Sequence, residues 1–397
     1  MLKRYLSLLF LAVLSLTPAA AQQTGPTPGE LAQIDQLFSA ELAKLNYGGV
    51  TAGIIRGDQL VWTKSLGLAD IENNIQANAE TVYAIGSITK LFTALMLQQL
   101  VARGLVHLGD PVAMYVPEVE KIQNPFMHAA PMTLYQLATH TSGLQGNDMP
   151  FPPREGPGSQ WEQVLISWFP QLTFDFEPGT RVQYSNIGYS ILGLALERAA
   201  GQPYAAYIQT EILIPLGMTH TGFELTPEMA AHVSKGYLLL PNGTLGPALD
   251  PTKQPVLPAF FWPAGGLFST VGDLAKFVAF ELGQGPDSVL SRQQINANFS
   301  QIGAATGDFC LGYGIGFTVN RMGKSLDIGH DGIVATSGGY MSSAQMRRQA
   351  NVAMVFLRNF VTISSNAPFG INFEISILDA ATGVRPLSRR DESAGCP

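Results

Sequence analysis

Ser87 and Lys90 stand three residues apart at the head of an apolar run, Leu91-Phe92-Thr93-Ala94-Leu95-Met96-Leu97. The run predicts a buried helix. Ser87 then belongs near its N-terminus, with Lys90 on the same face one turn on. That spacing can do acyl-transfer chemistry. A serine hydroxyl is a weak nucleophile until a neighbouring base takes its proton. A lysine held in an apolar pocket can be that base, because desolvation lowers its pKa toward neutrality. The positive end of the helix dipole favours an oxyanion forming beside the serine. Of the nine lysines in the chain, only Lys90 has a serine three residues before it.

Two further motifs carry chemistry. Tyr184-Ser185-Asn186 follows Glu177-Pro178-Gly179-Thr180 and precedes a helix-like stretch, 188–199. A loop between helices can turn Tyr184 and Asn186 into one cleft, where a phenol could pass protons between nucleophile and leaving group. The asparagine amide could hold Lys90 on one side and a substrate carbonyl on the other. Taken alone, the same residues read as a surface tyrosine and a turn asparagine. The third motif is His330-Asp331-Gly332, followed by Ile333 and a strand. His-x-Gly also occurs at His107 and His220, but only His330 lies downstream of Tyr184 in a sheet-like region. A glycine there would let a substrate backbone lie along the strand edge, and the next N–H could serve as oxyanion donor.

The elements that must position these residues follow from periodicity. Residues 30–45 read as a helix, and 50–55 and 60–65 as strands around Arg56-Gly57-Asp58. Residues 133–280 read as helical segments separated by Gly/Pro-rich loops. Strand character returns at 313–319, 338–343 and 351–357, and an apolar helix at 373–381 closes the pattern. A sheet built from both ends of the chain, with a mainly helical lobe inserted, puts a cleft at the lobe junction. The sheet lobe is expected at about 30–105 and 305–384, and the helical lobe at about 106–304.

The chain has 397 residues, 46% hydrophobic and 13% charged, with 41 glycines and 26 prolines, which excludes disorder. Lys3 and Arg4, the apolar run 6–16 and Ala19-Ala20-Ala21 have the layout of an export signal, with cleavage before Gln22. A linker over 22–29 and a polar tail over 385–397 flank the folded part. The apolar run is too short to span a bilayer, so no membrane span is expected in the mature chain. Removing Lys3 and Arg4 leaves 21 basic against 30 acidic residues, a poor composition for nucleic-acid binding. The two cysteines, Cys310 and Cys396, could pair only through the terminal tail, and no metal-ligand spacing occurs. No metal or cofactor is expected, and the sequence sets no oligomeric state.

Ser-x-x-Lys, Tyr-x-Asn and His-x-Gly in this order resemble the penicillin-recognising serine hydrolases, in their class C β-lactamase-like branch. That branch includes serine D-alanyl-D-alanine carboxypeptidases, D-amino-acid peptidases and β-lactamase-like carboxylesterases. The likeness covers about residues 30–380 and takes in three landmarks. These are His140-Thr141-Ser142-Gly143-Leu144, Gly265-Gly266-Leu267-Phe268-Ser269-Thr270 and Leu311-Gly312-Tyr313-Gly314-Ile315-Gly316.

The resemblance implies an α/β (α+β-type) fold of the β-lactamase/DD-peptidase kind. It implies Ser87 as acylated nucleophile, Lys90 as its proton acceptor or pKa-tuning partner and Tyr184 as general base and acid. Asn186 would position the substrate amide, His330 would help with substrate carboxylate binding or proton handling, and Gly332 would line the substrate. The N–H groups of Ser87 and Ile333 would form the oxyanion hole. Whether Lys90 or Tyr184 is the acylation base stays open at this level.

β-Lactamases of the branch usually carry Lys-Thr-Gly where this chain has His330-Asp331-Gly332, and a neutral histidine holds a carboxylate less well than lysine. The expected activity is therefore cleavage of a peptide or small-molecule substrate of D-amino-acid type, by a peptidase or carboxypeptidase. Carboxylester hydrolysis comes next, then β-lactam hydrolysis, and last a binding module without turnover. Loop 148–158 and Phe260-Phe261-Trp262 are candidate cleft rims, the latter favouring an apolar acyl group.

Overall fold

Alternating apolar residues on strands from both ends of the chain build one sheet, and the middle of the chain supplies the helices beside it. The structure, a computed structural model, describes residues 27–42, 47–126, 128–146, 160–298, 311–322, 325–336, 338–362 and 371–383. The export segment, loop 148–158, both cysteines and the 385–397 tail lie outside them.

The first part of the chain supplies α1 (Pro28–Leu42), β1 (Gly49–Arg56), β2 (Gln59–Asp70), β3 (Ile75–Gln76), β4 (Tyr83–Ala84) and α2 (Thr89–Ala102). The middle supplies α3 (Leu134–Ala138), α4 (Trp161–Trp168), α5 (Asn186–Ala200), α6 (Tyr204–Ile208), α7 (Pro227–His232) and β5 (Tyr237–Leu239). It continues with α8 (Trp262–Gly265), β6 (Phe268–Ser269), α9 (Val271–Ala279) and α10 (Arg292–Asn298). The last part supplies β7 (Leu311–Tyr313), β8 (Thr318–Met322), β9 (Ser325–Ala335), β10 (Gly339–Arg347), β11 (Val352–Arg358), β12 (Phe360–Thr362) and α11 (Ile371–Thr382).

Eight strands join in the order β3-β2-β1-β11-β10-β9-β8-β7, every neighbouring pair antiparallel. Pairing of β1 with β11, from Val50 opposite Arg358 to Arg56 opposite Val352, closes the two ends of the chain onto each other. Along β11 the faces alternate. Val352, Met354 and Phe356 pack with Ile34, Phe38, Ile377 and Leu378 of α1 and α11. Ala353, Val355 and Leu357 join the larger core with Leu274 and Phe277 of α9. Arg347, itself buried, fastens this arrangement: it grips Asp327 of β9 through two 2.8 Å bonds and Asp379 of α11 through a third.

From Thr89 to Leu100 every residue of α2 is buried, the pattern of a central helix rather than a surface one. It packs against α5 and α8. The expected antiparallel sheet flanked by helices is present. Three details differ. The single strand expected at 313–319 is the hairpin β7–β8, reversed at Gly314-Ile315-Gly316, where Gly314 N–H bonds Phe317 O at 2.8 Å. The His330 motif lies inside β9, not ahead of a strand. Helix α9, which sequence patterning assigns to the helical lobe, packs on β1 and β11 because the second face of the sheet needs an apolar cover. Among the described residues, no helix is long and apolar enough to cross a membrane.

Candidate active site

Ser87 sits in a 3-10 turn, Gly86–Ile88, that runs directly into α2. Three backbone contacts hold the residues around it. Ser342 Oγ of β10 donates to Ile85 O at 2.7 Å, and Ile85 N–H bonds Leu267 O at 2.9 Å. Leu267 N–H in turn bonds Thr89 Oγ1 at 3.1 Å. Gly332 of β9 faces this same turn: a Cβ there would collide with Ile85 O and Ser342 Oγ. The missing side chain makes room for the Ile85 carbonyl that leads into the Ser87 turn. Gly332→Ala is therefore expected to cost about 1–3 kcal/mol by overpacking and to lower turnover more than tenfold by shifting Ser87. Thermal unfolding and steady-state rates on the purified variant check it, and unchanged values in both would contradict this packing.

Lys90 is wholly buried, with Nζ 3.0 Å from Ser87 Oγ, 2.6 Å from Asn186 Oδ1 and 2.6 Å from Ala264 O. Burial holds its pKa well below the ordinary lysine value. Asn186 opens α5, and the preceding Ser185 caps that helix by accepting Gly188 N–H at 3.1 Å. Tyr184, one residue earlier, donates its phenol to Ser87 Oγ at 2.6 Å. Burial pushes the Tyr184 pKa above the usual phenol value, with the Asp331 charge acting the same way against the Ser87 hydrogen bond. Ser87, Lys90, Tyr184 and Asn186 thus form one hydrogen-bonded set, drawn from segments almost a hundred residues apart.

His330 lies beside this set, its ring centroid 6.0 Å from that of Tyr184. Both ring nitrogens are engaged. Nε2 is 2.6 Å from Tyr313 Oη, and Nδ1 bonds the Asp331 carbonyl. Burial pushes its pKa down to about 3. The ring is neutral at pH 7, with Nδ1 donating to the carbonyl and Nε2 accepting from Tyr313. Asp331 turns its carboxylate to Ser343 Oγ at 2.7 Å and Gln345 Nε2 at 3.0 Å.

Ile333 is 57% exposed, and β8 pairs with β9 only as far as Gly329. Its backbone nitrogen lies against the Ser87 turn: a Cβ at Gly86 (φ +49°) would stand 3.1 Å from Ile333 N. Phe260 and Phe261, candidates for a rim with ordinary packing as the alternative, are core residues. Trp262 instead stacks on Phe223 and with it lines a cavity of about 610 Å³ beside Gly265.

Two groups escaped sequence reasoning. Ala264 acts through its carbonyl, which no side-chain motif reports. Tyr313 was visible only within a landmark, and its bond to His330 needs the β7–β8 hairpin.

The geometry agrees with comparisons to known proteins. The Beta-lactamase family model matches residues 34–367. D-alanyl-D-alanine-carboxypeptidase/endopeptidase AmpH of Escherichia coli (strain K12) is 28% identical over 410 residues, covering 96% of this chain and 98% of AmpH. Beta-lactamase-like protein 2 of Dictyostelium discoideum is 29% identical over 300 residues, covering 72% of this chain. The match spans only 52% of that relative's length. The octameric penicillin-binding protein homologue from Pyrococcus abyssi superposes with a TM-score of 0.73 at 26% identity, covering 90% of this chain and 78% of that one. With the matched segment running from α1 to the end of the sheet, the chain belongs to the Beta-lactamase family and is a hydrolase of the β-lactamase/DD-peptidase fold.

Proposed function

We propose that this protein is an exported serine hydrolase that forms an acyl-enzyme on Ser87 and cleaves D-amino-acid-type peptides in the manner of a penicillin-binding carboxypeptidase. One observation carries the reading: Lys90 Nζ reaches Ser87 Oγ, Asn186 Oδ1 and Ala264 O at hydrogen-bond distance, in a buried site that favours the neutral amine. Asn186 Oδ1 and Ala264 O are acceptors and take two N–H bonds. The remaining lone pair then faces Ser87 Oγ, where it can accept the hydroxyl proton. The lowered pKa of Lys90 supports the neutral form, and the raised pKa of Tyr184 supports a protonated phenol. This division of labour makes Lys90 the acylation base and Tyr184 the acid.

As Ser87 Oγ bonds the substrate carbonyl carbon, its proton passes to Lys90. The carbonyl electron pair becomes an oxyanion held by the N–H groups of Ser87 and Ile333. The C–N bond then breaks, and the departing nitrogen takes the Tyr184 proton. The proton that Lys90 took from Ser87 then restores the phenol, so in net one proton has moved from the serine to the leaving group. Water repeats the attack on the acyl-enzyme with the roles reversed. Similarity to AmpH along nearly its whole length supports the substrate class. The basic and apolar segment before Gln22 supports export.

The test is an intact-mass time course with a penicillin, run beside release of D-alanine from a D-alanyl-D-alanine peptide. A long-lived adduct and D-alanine release are expected. Tyr184→Phe should lower peptide turnover about 10²-fold, and turnover near wild type would remove Tyr184 from the mechanism. A transient adduct with drug consumption would make the protein a β-lactamase. No adduct and no D-alanine, with hydrolysis of short-chain esters, would establish the second reading, a carboxylesterase. The neutral His330 favours that alternative, since it offers no cation to a substrate carboxylate.

A further inference from the structure

We propose that His140 is a positioning residue for Tyr184, clamping the backbone on both sides of it and so setting the phenol at Ser87 Oγ. The inference rests on the catalytic reading above and adds a residue to it.

His140 follows α3 with φ +56°, in the left-handed region that a non-glycine residue seldom adopts. Such a backbone is strained and persists only where its surroundings enforce it. Here it aims two acceptors from one residue at a single tripeptide. The His140 carbonyl accepts Gln183 N–H at 2.8 Å, and ring Nδ1 accepts Ser185 N–H at 3.1 Å. The residue between these two donors is Tyr184. Residues 182–185 belong to no helix or strand, so His140 does for them what a neighbouring strand would do in a sheet. Ser185 caps α5 separately, through its side-chain oxygen, so the bond to His140 acts on the tripeptide around Tyr184.

The ring is enclosed by tyrosines. Its centroid is 4.4 Å from that of Tyr184, 4.6 Å from that of Tyr313 at right angles, and 5.0 Å from that of Tyr189. Tyr189 Oη in turn donates to Ala138 O, two residues before His140, at 2.7 Å. His140 is 1% exposed, and burial holds its pKa well below the usual value. Nδ1 is the lone-pair nitrogen and is already used by Ser185, so the proton sits on Nε2. No hydrogen-bond partner for Nε2 is found among the described residues. A ring in that state holds geometry and does not shuttle protons.

The experiment compares His140→Ala and His140→Asn with wild type and Tyr184→Phe. Asparagine tolerates the left-handed backbone, and its Oδ1 is as many bonds from Cα as Nδ1. His140→Ala should lower kcat about 10²-fold with KM within about threefold, since a 1 Å misplacement of a reacting group costs that much. His140→Asn should stay within about tenfold of wild type. The double variant His140→Ala/Tyr184→Phe should be no slower than Tyr184→Phe alone, because both remove the same phenol from Ser87.

Wild-type kcat in His140→Ala, or losses that multiply in the double variant, would overturn the proposal. If the alanine variant does not fold, His140→Phe replaces it: a ring without the acceptor should be at least about tenfold slower, and wild-type kcat would again overturn the clamp. A crystal structure of the slow variant reads the clamp without any chemistry. Tyr184 Oη should stand more than about 1 Å further from Ser87 Oγ, and an unmoved phenol refutes the clamp even if the wild-type protein hydrolyses no D-amino-acid peptide. Failure of the catalytic reading itself shows separately, as absence of any Ser87 acylation in wild type.

Discussion

Ser87→Ala is expected to remove about 10⁶ of the turnover, leaving a folded protein with no measurable acyl transfer to any ester, amide or β-lactam. The loss is large because, on the proposed mechanism, the variant deletes the atom that bonds the substrate. Lys90 Nζ and the Tyr184 phenol both converge on Ser87 Oγ, at 3.0 and 2.6 Å. Stability should change far less. The substitution removes two hydrogen bonds of about 1 kcal/mol each, while Lys90 keeps Asn186 and Ala264 as acceptors. The 3-10 turn retains its anchors at Ser342 and Leu267, neither of which uses the Ser87 side chain. Circular dichroism, thermal unfolding and the intact-mass assay together check this. A covalent adduct that persists in the variant would move the nucleophile elsewhere.

How much of this site was legible depends on how far apart in the chain each contact is. Ser87 and Lys90 share one helical turn, so their spacing alone placed both groups on one face. Tyr184 and Asn186 were legible as a motif, but their contact with Lys90 depends on α5 packing against α2, which no local pattern reports. Ala264 could not be read at all, because its contribution is a carbonyl.

His330 was expected to meet substrate carboxylate or handle protons. Burial instead keeps the ring neutral, and its Nε2 is taken by Tyr313, which arrives on a hairpin that the sequence pattern reads as one strand. Gly332 was read as space for substrate, yet the space is filled by Ile85 and Ser342. The fold divides the same way. Long apolar periods gave α1, β1, β2, α2 and β11 within a few residues. Two- and three-residue strands such as β4, β5, β6 and β12 carry no period, and pairing across more than a hundred residues creates them.

Lys90→Met should lower kcat/KM about 10⁴-fold, at the upper end for a lost general base, and it decides which residue takes the serine proton. Methionine fills a similar volume without a charge to desolvate. It strips Asn186 Oδ1 and Ala264 O of a donor, about 1–3 kcal/mol for each group left unsatisfied, offset by removing a buried amine. The pH profile separates base from cation. A neutral Lys90 is needed for attack, so wild-type kcat/KM should rise with pH as Lys90 loses its proton, at a pH well below the ordinary lysine value because burial favours the neutral amine. The alkaline fall should come only above the ordinary phenol value, since burial favours protonated Tyr184. His330, held down near 3, adds no step near neutrality. In Lys90→Met the acid limb should vanish along with most of the rate. If it survives unchanged at the lower rate, the titrating base is another group, and Tyr184 working as a tyrosinate beside a lysine cation becomes the mechanism to test.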